Sequence, residues 1–244
     1  MDRVLLERQG PVAWLRMNRP ETLNGFDQPM IGAMLARCAE LRSDPEVRAA
    51  VLTGQGRAFC TGLDTKMLGA GAIDMAYFDG WQDVFDALEG LDIPLVAAVN
   101  GHCLGGGLAL ALCADYRIGG DDLVIGFGAV RHGIVPPHLA RLVEGVGSLL
   151  ARRLVLFAEY VGAEEALRVG LVDAVVPAGR LEETARQTAL RVCQFPPQGV
   201  REAKRLLRAV SPADVRAGRA GELTAWERCL AALTTETPVP HRRA

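Results

Sequence analysis

The sequence predicts an α/β fold followed by a helical C-terminal part. Apolar strand-like runs alternate with segments of helical period through about residue 176, and helical patterns alone follow from Leu181. The chain has 244 residues, of which 50% are hydrophobic and 23% charged. A chain of this size and composition can bury a large core without disulfide support. We expect an α/β region over 1–180 and a helical region over 181–244.

The N-terminal half shows the alternation clearly. Two runs rich in β-formers surround the turn at 9–11 and predict a pair of strands. Asp27 and Pro29 are typical of a helix start, and apolar residues then recur with helical spacing to Leu41. The glycine-rich segment 55–75 is expected to be mostly loop. The strands predicted here are 2–7, 11–17, 49–53 and 95–100, and a second helix is predicted at 78–91.

In the second half, a glycine triplet at 105–107 leads into an apolar helix predicted at 108–114. Buried apolar runs predict the remaining strands, at 116–119, 123–127 and 171–176. Helices are predicted at 138–144, 147–158, 163–168, 181–194, 198–209 and 212–233.

Charge and cysteine pattern exclude several classes of protein. The net charge of −2 argues against nucleic acid as the main partner, because proteins that bind duplexes usually show a basic face. The six cysteines form no CxxC pair, so we expect no metal. The start of the chain has no apolar signal segment, and the longest apolar run, 104–114, is too short to span a bilayer. We expect a cytoplasmic protein without a membrane partner.

Two segments bring bare backbone toward a ligand. Residues 59–64 follow a buried strand, and residues 100–107 enter a helix. Glycines let backbone N–H groups approach an anion at the positive end of a helix. Two N–H groups that converge on one oxygen form an oxyanion hole. A lone glycine triplet is more often a turn or a close-packing site, so neither segment decides the matter by itself.

Several segments of the chain, taken together, resemble the crotonase superfamily, the enoyl-CoA hydratase/isomerase relatives. They run in the family's order over residues 2–210. The resemblance implies a core of repeated ββα units, a helical C-terminal region that builds trimers or hexamers, and a substrate carried as a coenzyme A or acyl-carrier-protein thioester. The matching segments are MNRPETLN, AVLTGQGRAFCTGLD, PLVAAVNGHCLGGGLALALCADYRI, GIVP and AEEALRVGLVDAVVP.

The resemblance also implies where the substrate lies. The backbone N–H groups of Leu63 and Gly106 match the family's oxyanion donors. The loop 21–23 matches the region near the adenine, and 63–66 the region near the thioester and pantetheine. Coenzyme A or phosphopantetheine is part of the substrate, so no separate cofactor is expected. The implied substrate-binding residues are Thr22, Leu23, Leu63, Asp64, Thr65, Lys66, Gly105, Gly106, Ala109 and Ala129.

The family's two hydratase glutamates are absent. Their matching positions are Ala109 and Ala129, or Arg131 for the second if the match is anchored on Phe127-Gly128. No Asp or Glu occurs in 105–113 or 127–133. The sequence therefore favours decarboxylation or isomerisation through a stabilised enolate over hydration. The alternatives are a non-catalytic thioester-binding or assembly subunit, and a histidine-dependent hydrolase.

With no acidic residue at the matched glutamate positions, histidine is the candidate acid or base. His138 is the first candidate and His132 the second, because a histidine can both give and take a proton near neutral pH. Two prolines precede His138 and predict that it stands at a helix start. A solvent-facing helix residue is the alternative for His138. Asp64 is expected to cap the next turn.

Overall fold

Two β-sheets and the helices around them form the fold in the computed structural model, which describes residues 2–70, 73–209 and 221–231. The strands are Val4–Gln9 (β1), Val12–Met17 (β2), Ala49–Gly54 (β3), Ala58–Cys60 (β4), Leu95–Val99 (β5), His102–Leu104 (β6), Tyr116–Gly120 (β7), Val124–Gly126 (β8), Tyr160–Gly162 (β9) and Ala174–Val176 (β10). The helices are Gln28–Ser43 (α1), Thr65–Gly69 (α2), Met75–Glu89 (α3), Gly106–Leu112 (α4), Leu139–Leu156 (α5), Ala163–Arg168 (α6), Leu181–Val192 (α7), Pro197–Ala209 (α8) and 221–231 (α9).

The two sheets are built from repeated units. The larger sheet has the order β1-β2-β3-β5-β7-β10, and the smaller has the order β4-β6-β8-β9. β3, β5 and β7 are each followed by a short strand of the smaller sheet and then by helix. Apart from β1 with β2 and β8 with β9, the neighbouring strands are parallel. This confirms the α/β fold of repeated ββα units.

The helix α7 covers one face of the larger sheet. Its apolar residues Leu181, Ala185 and Ala189 recur every four positions and pack on strand residues of that face. An ion pair of 2.6 Å between Arg16 and Glu182 joins β2 to the start of this helix. The first helix of the 181–244 region thus takes part in the packing of the sheet. The division into two regions stays a prediction.

Most predicted elements are found, and the differences have simple causes. Segment 55–75 contains β4 and α2 in addition to loop, and β6 and β9 were not predicted. Three-residue strands are too short to show a period of two. The last strand begins at Ala174, later than expected. The predicted helix 212–233 is described only over 221–231, and the rest lies outside the described residues.

The two helices predicted around position 146 are joined in α5. The backbone of Gly147 interrupts this helix at a φ of 77°, which a glycine adopts without strain.

Among the described helices, none has the length and apolar character needed to cross a membrane.

A backbone contact fixes α4 against β4. A Cβ added at Gly107 would lie 2.0 Å from the carbonyl oxygen of Cys60. Only glycine permits this approach, because a contact this short requires the backbone to move.

We expect Gly107→Ala to lower the free energy of unfolding by about 1–3 kcal/mol or more, through overpacking. Gly32→Ala is the matched control. Gly32 lies within α1 with open space around the added Cβ, so this change should stabilise by about 0.5–1 kcal/mol. Urea denaturation followed by circular dichroism measures both. Equal stability of the two variants would contradict the packing described for α4.

Candidate active site

A cavity of about 440 Å³ lies where the loops after β4 and β6 meet α3 and α9. Its wall brings together most residues expected to bind substrate. Ala109 is the exception: it is fully buried in α4 and is not among the residues that line the cavity, which corrects that assignment. The expected residues that do line it are Thr22, Leu23, Leu63, Asp64, Thr65, Lys66, Gly105, Gly106 and Ala129.

The amides of Leu63 and Gly106 belong to two loops that touch. Gly62 has a φ of 81°, and a Cβ added there would lie 2.5 Å from the nitrogen of Gly106. Gly106 is the first residue of α4, where N–H groups have no acceptor within the helix. Among the hydrogen bonds of the described residues, neither amide donates to the protein. Two such donors side by side on a cavity wall can bind a negatively charged oxygen.

Short contacts hold the loop that carries Leu63. The amide of Phe26 donates to the carbonyl of Gly62 (2.7 Å), and the amide of Asp64 donates to the carbonyl of Phe26 (3.3 Å). This bridge uses the groups on either side of Leu63 and leaves its own N–H available.

Asp64 has a structural role. Its carboxylate accepts a hydrogen bond of 3.1 Å from the amide of Lys66, at the start of α2. It also pairs at 3.2 Å with the buried guanidinium of Arg19, which donates in addition to the carbonyl of Gly25. The expectation that Asp64 caps the next turn is confirmed. The Arg19 pair further ties the loop of Leu63 to the preceding segment.

The two candidate histidines occupy different places. His132 ends a short 3₁₀ turn, Ala129–His132, and lines the cavity. His138 directly precedes α5, as expected, but its side chain is only 3% exposed and does not line the cavity. Its ring lies against Phe85, with 4.4 Å between the ring centroids. The structure thus corrects both interpretations of His138: it is neither exposed to solvent nor placed to act on a substrate in this cavity.

The imidazole of His138 belongs to a buried polar cluster. Its Nε2 lies 3.2 Å from Oε1 of Glu89 and 3.4 Å from Sγ of Cys113. Three atoms of types that bind metals therefore lie within 4.8 Å of one another. Arg141 donates to the same carboxylate oxygen at 3.0 Å and places a positive charge beside it. We interpret the group as a hydrogen-bonded cluster of the core.

Aromatic residues that sequence reasoning missed form part of the cavity wall. Phe78 and Trp81 stand one turn apart on α3, and Tyr160 lies on the unpredicted strand β9. Trp226 on α9 also lines the cavity; it is 1% exposed and stacks on Phe78 with 4.3 Å between centroids. Helical periodicity alone cannot distinguish a residue that packs in a core from one that lines a cavity.

Comparison with known proteins assigns the family. The model of the enoyl-CoA hydratase/isomerase family matches residues 7–236. A short-chain-enoyl-CoA hydratase of Clostridium acetobutylicum is 34% identical over 234 residues, which cover 94% of this chain and 90% of that protein.

Solved structures agree in fold. An enoyl-CoA hydratase from Mycobacterium tuberculosis is 30% identical, with a TM-score of 0.84 and coverage of 94% of this chain and 100% of that chain. A monofunctional enoyl-CoA isomerase from M. smegmatis is 31% identical, with a TM-score of 0.75 and coverage of 88% and 98%. The chain belongs to the enoyl-CoA hydratase/isomerase family, within the crotonase superfamily.

Glu89 should make stability depend on pH. Burial alone raises the pKa of this carboxyl, but the hydrogen bonds and charges of His138 and Arg141 outweigh it and lower the pKa from 4.5 to about 2. A carboxyl whose pKa is lower in the folded state stabilises the folded protein at pH values above its ordinary pKa. This stabilisation is lost as the pH falls from about 4.5 to about 2.

We expect Glu89→Gln to destabilise the protein by about 1.5–3 kcal/mol at pH 7, the usual worth of hydrogen bonds to a charged group. The difference from wild type should shrink as the pH falls from 4.5 toward 2. Glu144→Gln is the matched control, because Glu144 contacts the same Arg141 from a more exposed position. Thermal unfolding across this pH range measures the effect, and a difference that does not change with pH would refute the assignment.

Proposed function

We propose that this chain is an enzyme that binds an acyl-CoA thioester and stabilises its enolate at the amides of Leu63 and Gly106. The single observation that carries the proposal is the pair of amides without a protein acceptor, held side by side on the cavity wall. Removal of a proton from the carbon next to a thioester places negative charge on the carbonyl oxygen. Two preorganised N–H donors stabilise that charge.

We further propose isomerisation as the reaction in preference to hydration. Adding water requires groups that position and deprotonate it, and the family's two glutamate positions match Ala109 and Ala129, or Arg131 for the second. Ala129 lines the cavity with a methyl group only, and Ala109 is enclosed in the core. The relatives are named both as hydratases and as an isomerase, so their names support the thioester substrate but do not choose between the reactions.

His132 is the side chain we propose for proton transfer. It ends the turn that begins at Ala129, on the cavity wall. His138, in contrast, is buried against α3 and does not line the cavity. In a 3-enoyl thioester, His132 would take the proton from C2 and return it to C4, which moves the double bond into conjugation with the thioester. The amides of Leu63 and Gly106 would hold the enolate between the two transfers.

Decarboxylation, the other reaction that the sequence favours, also needs an enolate site and one proton donor. It stays a second proposal.

The carrier-protein form of the substrate and the trimeric or hexameric state also stay proposals. Large apolar side chains are exposed on the described surface, which is compatible with assembly; they are Leu149, Leu156, Phe157, Leu206 and Leu207.

The oxyanion site is tested by Gly62→Ala. The added methyl should force the two amides apart and lower the exchange of the C2 protons of butyryl-CoA with D₂O by about 10²–10³-fold, as expected for loss of one donor. Gly145→Ala is the control, because nothing lies near its added Cβ. Mass spectrometry measures the exchange, and circular dichroism confirms folding. A folded Gly62→Ala protein with wild-type exchange would rule out this site.

The base is tested by a pair of substitutions. His132→Gln should slow isomerisation of 3-hexenoyl-CoA by about 10²–10⁴-fold while binding is kept. His138→Gln should lower thermal stability and leave the rate per folded molecule near that of wild type. The rise in absorbance of the conjugated product reports the reaction. Loss of rate only in the His138 variant would assign the proton transfer to His138 instead of His132. Hydration of crotonyl-CoA at a rate above that of isomerisation would overturn the proposed reaction.

A further inference from the structure

The cavity has one continuous apolar wall that begins at the proposed oxyanion site. The ring of Trp81 lies against Gly106, since a Cβ added at Gly106 would lie 2.6–3.1 Å from three of its ring carbons. Phe78 stands one turn earlier on α3, and Trp226 stacks on it at 24° between ring planes. Each of these side chains lines the cavity. The wall therefore runs from the thioester oxygen through three aromatic rings.

The far end of this wall lies at α9, which hydrogen bonds join to the start of α5 and to the segment before it. The buried carboxylate of Glu222 accepts hydrogen bonds from the amides of His138 (3.1 Å) and Leu139 (2.8 Å), the start of α5. One turn later, Nε1 of Trp226 donates to the carbonyl of Val135 at 2.8 Å. A long flexible acyl chain would have to displace Trp226 and break this contact.

The chemistry of the wall points to its ligand. Its described residues are Phe78, Trp81, Ile134, Val135, Pro137 and Trp226. None of these side chains carries a charge, so none can form an ion pair with a carboxylate. A carboxylated acyl group would lose its hydration there without compensation. Flat rings favour offset or edge contacts with another aromatic ring.

We infer that the acyl group of the substrate bears an aromatic ring one to three carbons from the thioester. This inference rests on the proposed function, because the position of the thioester oxygen sets where the acyl group begins. Trp226 is the residue that determines specificity: it provides an aromatic face and also limits the length of the pocket.

The test compares saturated thioesters, which cannot isomerise, by isothermal titration calorimetry. 3-Phenylpropanoyl-CoA and nonanoyl-CoA have the same number of acyl carbons, glutaryl-CoA adds a carboxylate, and free coenzyme A serves as the reference. We expect the wild type to bind the phenyl compound about tenfold more tightly than either other thioester. Equal or tighter binding of nonanoyl-CoA or glutaryl-CoA would overturn the inference.

Two variants locate the preference. Trp226→Ala should lose the tenfold advantage of the phenyl compound and bind nonanoyl-CoA as well as or better than the wild type does. Trp226→Phe should retain the advantage. Leu230→Ala is the control, since Leu230 lies on the same helix and packs on the core without lining the cavity. A uniform loss for all thioesters, equal in Trp226→Ala and Leu230→Ala, would show that only the docking of α9 matters and would contradict the role of Trp226.

The two proposals fail in different ways. If the thioesters bind no better than free coenzyme A, the acyl-thioester function fails and the inference fails with it. If all thioesters bind well without preference for the phenyl group, only the inference fails. The wild-type comparison decides this even if Trp226→Ala does not fold.

Discussion

The site depends on a contact between two stretches of backbone that only glycine permits. Gly62 meets the nitrogen of Gly106, and Gly107 meets the carbonyl of Cys60. These contacts place the loop after β4 against the first turn of α4 with no side chain between them. Because backbone contacts and hydrogen bonds hold both segments, the two amides would require little reorganisation when charge forms on a bound oxygen. That preorganisation is the physical source of electrostatic catalysis.

Ion pairs between charged side chains stabilise the segments that carry the site. Arg19 pairs with Asp64 and so restrains the loop of Leu63, while Glu89 joins His138 to Arg141 at the base of α5. Buried charges persist only when they are paired and hydrogen-bonded. Asp64 lines the cavity, and its carboxylate pairs with Arg19 and accepts a hydrogen bond from the amide of Lys66.

The alternation of strand and helix patterns predicted the α/β class, because it depends on local signals. The resemblance to the crotonase superfamily implied the ββα units and pointed to the amides of Leu63 and Gly106, whose role stays a prediction. The sequence did not reveal the burial of His138 or the place of Trp226 in the cavity wall, because the direction in which a side chain faces depends on contacts distant in sequence. His138 meets Glu89, and Trp226 meets Phe78 and Val135. The local sequence pattern around either residue does not indicate those partners. The strand β9, which brings Tyr160 to the cavity, was not predicted because three residues are too few to show a period of two.

The matched glutamate positions and the cavity wall both bear on the proposed reaction. The sequence places Ala109 and Ala129, or Arg131 for the second, at the positions that match the family's glutamates, and Glu21 and Asp64 are the carboxylates among the described residues that line the cavity. The wall also carries aromatic rings, and the ring of Trp81 lies directly against Gly106, whose amide we propose as an oxyanion donor. An apolar wall beside the proposed oxyanion site supports formation of an enolate, since an enolate needs a stabilised oxygen and one mobile proton. The matched glutamate positions and the aromatic wall thus support the same proposal, in which the proton moves within the acyl group.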